Sequence, residues 1–362
     1  MAFSTAAASK LAFQLGLPVN VQPPAHMVMA RVRLRRPPVP TSSRTRRCCS
    51  SLHVSSSSAD AFTKLEHTNW QRGVDAYNDG FGPLTSQAVP TLLDKVQFPP
   101  PTLLGDRSSA ENISMLDVAC GPGQVLTTAI SKANESGCTS CSYTALDFSS
   151  NFLQLAKCNL DSAHPDATID FVEGDAQSMP FENDVFTSIT CNFGILHLSD
   201  PDSFISESYR ILQPGGRLAF SAWSAIPYTE GFDLILGAVD AAGNPTVQLP
   251  EGPPFFRFSD PKEIDQSLEA SGFADIEVTV VESMIWENVK SADHLYSILL
   301  EGTARTRELL RGQTEEEAMS VKEELRRRYE ERTENGSKGL RMPAVVSSGR
   351  KPLTYHTGTK LS

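Results

Sequence analysis

Beyond the first sixty residues, apolar and polar positions follow two alternating rhythms. Short apolar runs fall at 114–119, 142–146, 169–173, 185–191 and 217–223. Their lengths, and the turn residues around them, predict buried β-strands. Helix-length segments with one apolar face fall between them, at about 124–132, 151–160 and 202–211. Strand and helix in alternation, with few hairpin signals, predict an α/β fold built on a parallel, doubly wound sheet. In such a sheet, ligands bind beyond the carboxyl ends of the strands, beside the first strand.

The flanking segments differ. From Phe62 the pattern is helical, and Trp70 and Tyr77, seven apart, share a face. Phe81-Gly82-Pro83-Leu84 is expected to break this helix, with another over 85–96 stopped by Pro99-Pro100-Pro101. After the fifth strand come a helix at 261–272 and a strand at 276–281. Two charged helices follow at 292–311 and 314–332, and an apolar stretch at 344–348 is expected to rejoin the sheet as an edge strand. Acidic residues at 315–317 and arginines at 326–328 suit the two poles of the second charged helix, so this charge run reads as a solvated face.

Charge divides the chain. The whole carries 32 Lys+Arg against 43 Asp+Glu, but residues 1–59 contain eight bases and no acid. The remaining 24 bases stand against 43 acids, a net charge of −19. A body this acidic argues against a nucleic-acid partner, which would need a positive surface. The Ser-rich, Arg-rich, acid-free leader reads as an organellar transit peptide, with a plastid favoured and a mitochondrion as the alternative. No apolar stretch is long enough to span a membrane as a helix. Seven cysteines make a disulfide framework improbable, and Cys138-Thr139-Ser140-Cys141 lacks the second pair of a metal site, so no metal is expected.

Candidate chemistry gathers at the strand ends. The first ends in Asp117-Val118-Ala119-Cys120-Gly121-Pro122-Gly123, a turn whose glycines let a ligand approach the backbone. Leu126 stands where a dinucleotide fold has its third glycine, and no phosphate-gripping Gly-Lys-Ser/Thr follows. Asp147 ends the second strand, where its two oxygens suit a pair of ribose hydroxyls. Asp175, followed by Ala176, ends the third and suits an adenine amino group. Phe148 and Phe152 are placed to pack against a base, and Asn192 ends the fourth strand near the reactive end of a ligand. The set suits a nucleoside without phosphates.

This constellation resembles the class I S-adenosylmethionine-dependent methyltransferases, specifically the type 11 group that includes quinone C-methyltransferases. The glycine motif spans Asp117 to Gly123, with Ala119 where many members have the first glycine; Asp147 takes the acidic ribose position and Asp175 the adenine position. Leu212-Gln213-Pro214-Gly215-Gly216 matches the segment leading into the fifth strand. One departure is Thr187, at the start of the fourth strand, where the family often has Asp.

The resemblance implies a mostly parallel seven-stranded Rossmann-like sheet with S-adenosylmethionine as cofactor. Its implied organisation is a leader (1–59), an N-terminal helical lid (60–105), a cofactor-binding core (106–225) and a C-terminal part (226–362) with a helical acceptor-side insertion before the last strand. Asp117, Ala119, Gly121, Gly123, Asp147, Phe148, Asp175, Ala176 and Asn192 would contact the cofactor. The implied reaction is in-line transfer of a sulfonium methyl group to a small, lipophilic or aromatic acceptor. Such chemistry needs alignment first, and a base only if the acceptor must lose a proton.

His197 and Tyr77 are the candidate catalytic groups, although a pocket-shaping histidine and ordinary helix packing explain them too. Trp223 and Arg257 are the candidate acceptor-side residues, with Arg257 in an aromatic loop where it would hold an anionic group. Two alternatives stand beside the enzyme: an assembly factor that binds S-adenosylmethionine without turnover, and a nicotinamide-dependent dehydrogenase, disfavoured by Leu126.

Overall fold

The computed structural model describes residues 56–100, 113–138, 140–334, 336 and 339–353. Residues 1–55 of the segment expected as a leader, residues 101–112 between the expected lid and core, and residues 354–362 lie outside the described residues. Four short helices open the described chain: α1 (Ser56–Arg72), α2 (Val74–Gly80), α3 (Gly82–Thr85) and α4 (Val89–Lys95). The core follows as β1 (Ile113–Val118), α5 (Gln124–Ser136), β2 (Cys141–Asp147), α6 (Ser150–Ala163), β3 (Ile169–Glu173), β4 (Phe186–Asn192), α7 (Pro201–Ile211) and β5 (Leu212–Trp223). The C-terminal part contains α8 (Glu230–Ala242), α9 (Pro261–Ala270), β6 (Ala274–Val281), β7 (Ile285–Trp286), α10 (Ala292–Gly302), α11 (Arg305–Arg311), α12 (Glu315–Thr333), β8 (Leu340–Arg341) and β9 (Ala344–Arg350).

Seven strands form one sheet in the order β3-β2-β1-β4-β5-β9-β6, and β7 pairs with β8 apart from it. Strands β1 to β5 pair in parallel. β9 runs antiparallel to both its neighbours. The order reverses at β1, so its carboxyl end faces the crevice between the two halves.

Local rules explain the helices beside that crevice. α5 buries Val125, Leu126, Ala129, Ile130 and Ala133, one stripe at helical spacing. Leu126, where a dinucleotide-binding fold would carry glycine, is a core residue. α6 starts where the Ser149 hydroxyl accepts from the Phe152 backbone N–H. α12 carries a full capping box between Thr314 and Glu317.

The structure bears on four expectations. α1 begins at Ser56, so the last four residues of the segment expected as a leader are helical. Phe81-Gly82-Pro83-Leu84 breaks the helix as expected, α2 ending at Gly80, but a new short helix, α3, starts at once, with Pro83 in its first turn, where its missing N–H has no intrahelical partner to lose. The helix expected at 292–311 is two, parted at Thr303 and Ala304. The final strand lies inside the sheet, between β5 and β6, with both edges paired. Six of its seven residues are buried, while β6, partly exposed and carrying Glu277 and Thr279, takes the edge.

The interior position of β9 generates a test. Val346→Asp would bury an unpaired charge and is expected to cost several kcal/mol, whereas Val280→Asp, on the exposed edge strand, should change stability by less than about 1 kcal/mol. Urea-unfolding midpoints compare them, and equal effects would place β9 wrongly.

Candidate active site

The ends of β1 to β4 open into one cavity that encloses about 1200 Å³, its open mouth included. Ala119 and Gly121 line it after β1, and Asp147 and Phe148 after β2. Asp175 and Ala176 line it after β3, and Asn192 after β4. Among the sequence candidates, Phe152, Trp223, Tyr77 and His197 also lie on its wall. Three candidates do not: Asp117, Gly123 and Arg257.

The turn after β1 shapes the polar half. Ala119 (φ 52°) and Gly121 (φ 51°) both sit in the left-handed region. Glycine enters that region without penalty, whereas alanine is held there at a cost of about 1–2 kcal/mol. A side chain at Gly121 would face the cavity towards the Tyr77 ring. The Gly121 N–H donates to Asp147 Oδ2 at 3.0 Å, and the Ser149 N–H donates to Oδ1 at 2.9 Å. Burial pushes the Asp147 carboxyl up to about 6, against the lowering effect of these backbone donors and that of Phe148. Each oxygen still has a lone pair for a ribose hydroxyl.

Asp117 is corrected from ligand to support. Its carboxyl turns towards β4, accepts from Thr190 Oγ1 at 2.8 Å, and keeps Oδ2 unpartnered among the described residues. Burial lifts it to about 8; the Thr190 hydroxyl lowers it and nearby Asp147 raises it. It therefore stays protonated at neutral pH, behind the wall. Gly123 is also structural. It precedes α5 at φ 86°, and a Cβ there would come within 3.0 Å of Leu160, so it allows α5 and α6 to pack closely.

Asn192 is on the wall, but its amide is engaged: Nδ2 donates to the Thr85 carbonyl at 3.1 Å, and Oδ1 accepts from Ser221 at 2.7 Å. It braces β4 against the N-terminal helices and β5. Asp175 accepts from the Gln177 backbone and side chain and remains exposed on its cavity side.

The other half of the cavity is aromatic. Trp223 stacks on Phe193 with centroids 4.0 Å apart, and Phe232 meets Trp223 edge-on at 5.9 Å. Phe255 and Phe256 close this wall from the loop before α9. On the opposite side Tyr77 stacks on Phe81 and meets Trp70 and Phe152 edge-on. Burial pushes the Tyr77 phenol up to about 12, so it can donate a hydrogen bond but is ruled out as a base near neutral pH. Arg257 does not reach the cavity. It is held by Asp202 at 2.8 Å, Glu263 at 3.1 Å and Ser267 at 2.9 Å, which corrects its assignment to an anionic acceptor group.

Sequence reasoning missed Glu66 and Arg305. Glu66 is fully buried at 0% exposure. It accepts from Trp70 Nε1 at 2.9 Å, pairs with His197 Nδ1 at 3.1 Å and with Arg305 Nε at 3.2 Å. Arg305 lines the cavity at the break between α10 and α11, and Gly302-Thr303 was the available signal for that break. Apart from Trp70, one turn on, the partners of Glu66 lie 131 and 239 residues away in sequence, beyond the reach of any local pattern.

A mostly parallel Rossmann-like sheet of this order, with the candidate cofactor residues gathered at the β1 switch point, is the arrangement expected of a class I methyltransferase. Residues 116–220 match the family described as "Methyltransferase domain". This part of the chain is a class I, S-adenosylmethionine-dependent methyltransferase domain. The chain is 28% identical over 172 residues to demethylmenaquinone methyltransferase of Clavibacter sepedonicus, a match covering 45% of this chain and 66% of that one. It is 31% identical over 113 residues to the ubiquinone/menaquinone biosynthesis C-methyltransferase UbiE of Ruegeria sp. (strain TM1040), covering 31% and 43%. The matches thus span less than two thirds of these relatives. A solved phosphoethanolamine N-methyltransferase 2 of Haemonchus contortus aligns over 83% of this chain and 61% of its own, at 19% identity and a TM-score of 0.44, too loose to add to the strand order.

Asp117 makes stability depend on pH in an unusual direction. Its pKa rises from 3.8 unfolded to about 8 folded, so between those values the folded state holds the extra proton. The stabilisation is complete below 3.8 and is lost as pH rises through about 8. Relative to Asp117→Asn, the wild type should lose thermal stability between pH 5 and pH 9. Scanning calorimetry of the pair checks this, and a pH-independent difference would contradict it.

Proposed function

We propose that this chain transfers the methyl group of S-adenosylmethionine to a flat, apolar aromatic molecule of the quinone or phenol kind. The carrying observation is the division of a single cavity. A nucleoside-suited half, with Asp147 and Asp175, adjoins a half walled by Trp223, Phe193, Phe232 and Phe255. The names of the two quinone-pathway relatives support the same acceptor class.

In this reading Asp147 holds the ribose, Asp175 and Ala176 meet the adenine, and Phe148 and Phe152 flank the base. The cofactor supplies a methyl group on a sulfonium that leaves readily. The protein's share is to line up acceptor, methyl and sulfur in a dry site, worth up to about 10 kcal/mol in the best cases. Aromatic walls suit this task because they stack on a planar ring and exclude water. The N-terminal helices act as the lid, since Trp70, Tyr77 and Phe81 face the strand ends across the cavity. The Arg-rich leader would deliver the enzyme to a plastid, with a mitochondrion as the alternative, and a fluorescent fusion of residues 1–60 distinguishes the two.

Calorimetry with S-adenosylhomocysteine is expected to show binding that Asp147→Ala weakens by at least about 100-fold, since hydrogen bonds to a charged group contribute about 1.5–3 kcal/mol each. Affinity should also fall below pH 6 as the Asp147 carboxyl takes up its proton. Tight NAD binding with none for S-adenosylhomocysteine would overturn the assignment. Deletion of the gene should leave a metabolite one methyl lighter, and Trp223→Ala should weaken acceptor binding while leaving S-adenosylhomocysteine affinity within about threefold.

A further inference from the structure

The polar node on the aromatic wall has a specific electrical arrangement. Glu66 is buried in α1, with His197 Nδ1 and Trp70 Nε1 on Oε2 and Arg305 Nε on Oε1. Burial alone would raise the Glu66 carboxyl, but His197, Arg305 and Trp70 together hold it below its ordinary value, so it is ionised. Burial lowers the Arg305 guanidinium from 12.5, a starting point so far above neutrality that the group keeps its charge beside Glu66.

An ionised carboxylate only accepts hydrogen bonds, so the imidazole nitrogen facing it must carry a proton. In neutral His197 that proton sits on Nδ1, and Nε2 is left as a bare lone pair. No described residue hydrogen-bonds Nε2, and the ring forms part of the cavity wall between Trp70, 4.7 Å away, and Phe255, 6.1 Å away. The charged group bonded to the ring is Glu66, itself paired with Arg305, while Arg305, Asp147, Asp175 and the neutral Tyr77 line the same cavity. Arg305 also donates to the carbonyls of Pro253 and Leu196, the latter adjacent to His197, and so fixes the base from behind.

We propose that His197 is the general base of methyl transfer and Glu66 its positioning residue, and that the acceptor therefore presents a hydroxyl that ionises as the methyl group moves. The inference rests on the methyltransferase reading and adds the chemistry of the acceptor. The hydroxyl proton passes to His197 Nε2, and the oxygen's electron pair drives attack on the methyl carbon, through oxygen or the ring carbon conjugated with it. The carbon–sulfur bond breaks with its electron pair going to sulfur. If carbon attacks, the ring proton at that carbon leaves and the oxygen is reprotonated, so either route releases one proton overall. Glu66 holds the tautomer and stabilises the imidazolium, and Arg305 on its second oxygen keeps the carboxylate from taking that proton itself.

The test uses the full chain with S-adenosylhomocysteine bound and its histidines labelled with ¹⁵N; His197 is identified by its loss in His197→Asn. The expected spectrum has the neutral ring protonated at Nδ1, with Glu66→Gln shifting it towards the Nε2–H form. Because Glu66 is buried, a Glu66→Gln protein that fails to fold leaves the wild-type tautomer as the deciding readout. A wild-type proton on Nε2, or a folded Glu66→Gln protein with an unaltered ring, would overturn the pair.

The second arm measures tritiated-methyl transfer to 1-naphthol and to 1,4-naphthohydroquinone kept reduced, beside 1,4-dimethoxynaphthalene. Transfer is expected only to the hydroxylated probes. His197→Asn should cut kcat by about 10²–10⁴-fold with KM and S-adenosylhomocysteine affinity within about threefold, and Glu66→Gln should lower kcat with KM held within the same limit. Transfer to the blocked probe, or none to either hydroxylated probe by protein that binds S-adenosylhomocysteine, would overturn the acceptor chemistry. A wild type that does not bind S-adenosylhomocysteine would overturn the methyltransferase reading itself.

Discussion

Ionised and fully buried, Glu66 imposes the strongest constraint in the molecule. An ion removed from water is tolerated only when donors surround it, and removing one partner of such a pair typically costs about 3–5 kcal/mol. Here one donor, Trp70, lies one turn along α1, and two come from distant stretches: His197 just after β4, and Arg305 at the start of α11. Arg305 also binds the Pro253 carbonyl and lies over the Phe62 ring at 4.4 Å, which fastens the 250s loop and the start of α1 to the same point. One charge thus fixes the relative positions of the N-terminal helices, the cavity wall and the C-terminal helices.

The opposite half of the cavity depends on backbone geometry more than on charge. Two left-handed residues, Ala119 and Gly121, turn the chain sharply enough for the Gly121 N–H to reach Asp147 on the neighbouring strand. Asp147 is therefore anchored to the turn before any ligand arrives, which lowers the entropy lost on binding. Asp117 sits one layer deeper and stays protonated. Placing a second full charge beside Asp147 would raise Asp147 further, so the neutral form of one carboxyl serves the ionised form of the other.

Much of this was legible in the sequence because it is local. Strand ends, caps and the glycine turn are written in consecutive residues, and the expected positions of Asp147, Phe148, Asp175 and Ala176 follow from where apolar runs stop. Asp117 and Gly123 lie in the same motif, yet sequence does not record which way a strand residue faces at the strand's last turn. Arg257 was misjudged because its partners, Asp202 above all, belong to another helix. The place of β9 was hidden for a related reason: an apolar run announces a strand, but its neighbours are chosen by pairing with β6 and β5, strands well over fifty residues away in sequence. Glu66 had no local signal at all.

The same division between local and distant explains the reach of the family match. Residues 116–220 contain the nucleoside half of the cavity almost entirely. The acceptor half is different: Trp70, Tyr77, Phe81, Trp223, Phe232, Phe255, Phe256 and Arg305 all lie outside that span, and within it this half draws on Phe193 and His197. Likeness across 116–220 therefore carries information about the methyl donor and almost none about the acceptor. In the proposed reading, cofactor recognition is confined to one contiguous folding unit, while acceptor recognition is assembled from flanking segments held together by the Glu66 node. A change of acceptor in such an architecture requires only that the flanks change, provided a buried charge of this kind keeps them docked at the same strand ends. The physical record of what this chain methylates accordingly lies in its aromatic flanks and in the base they position.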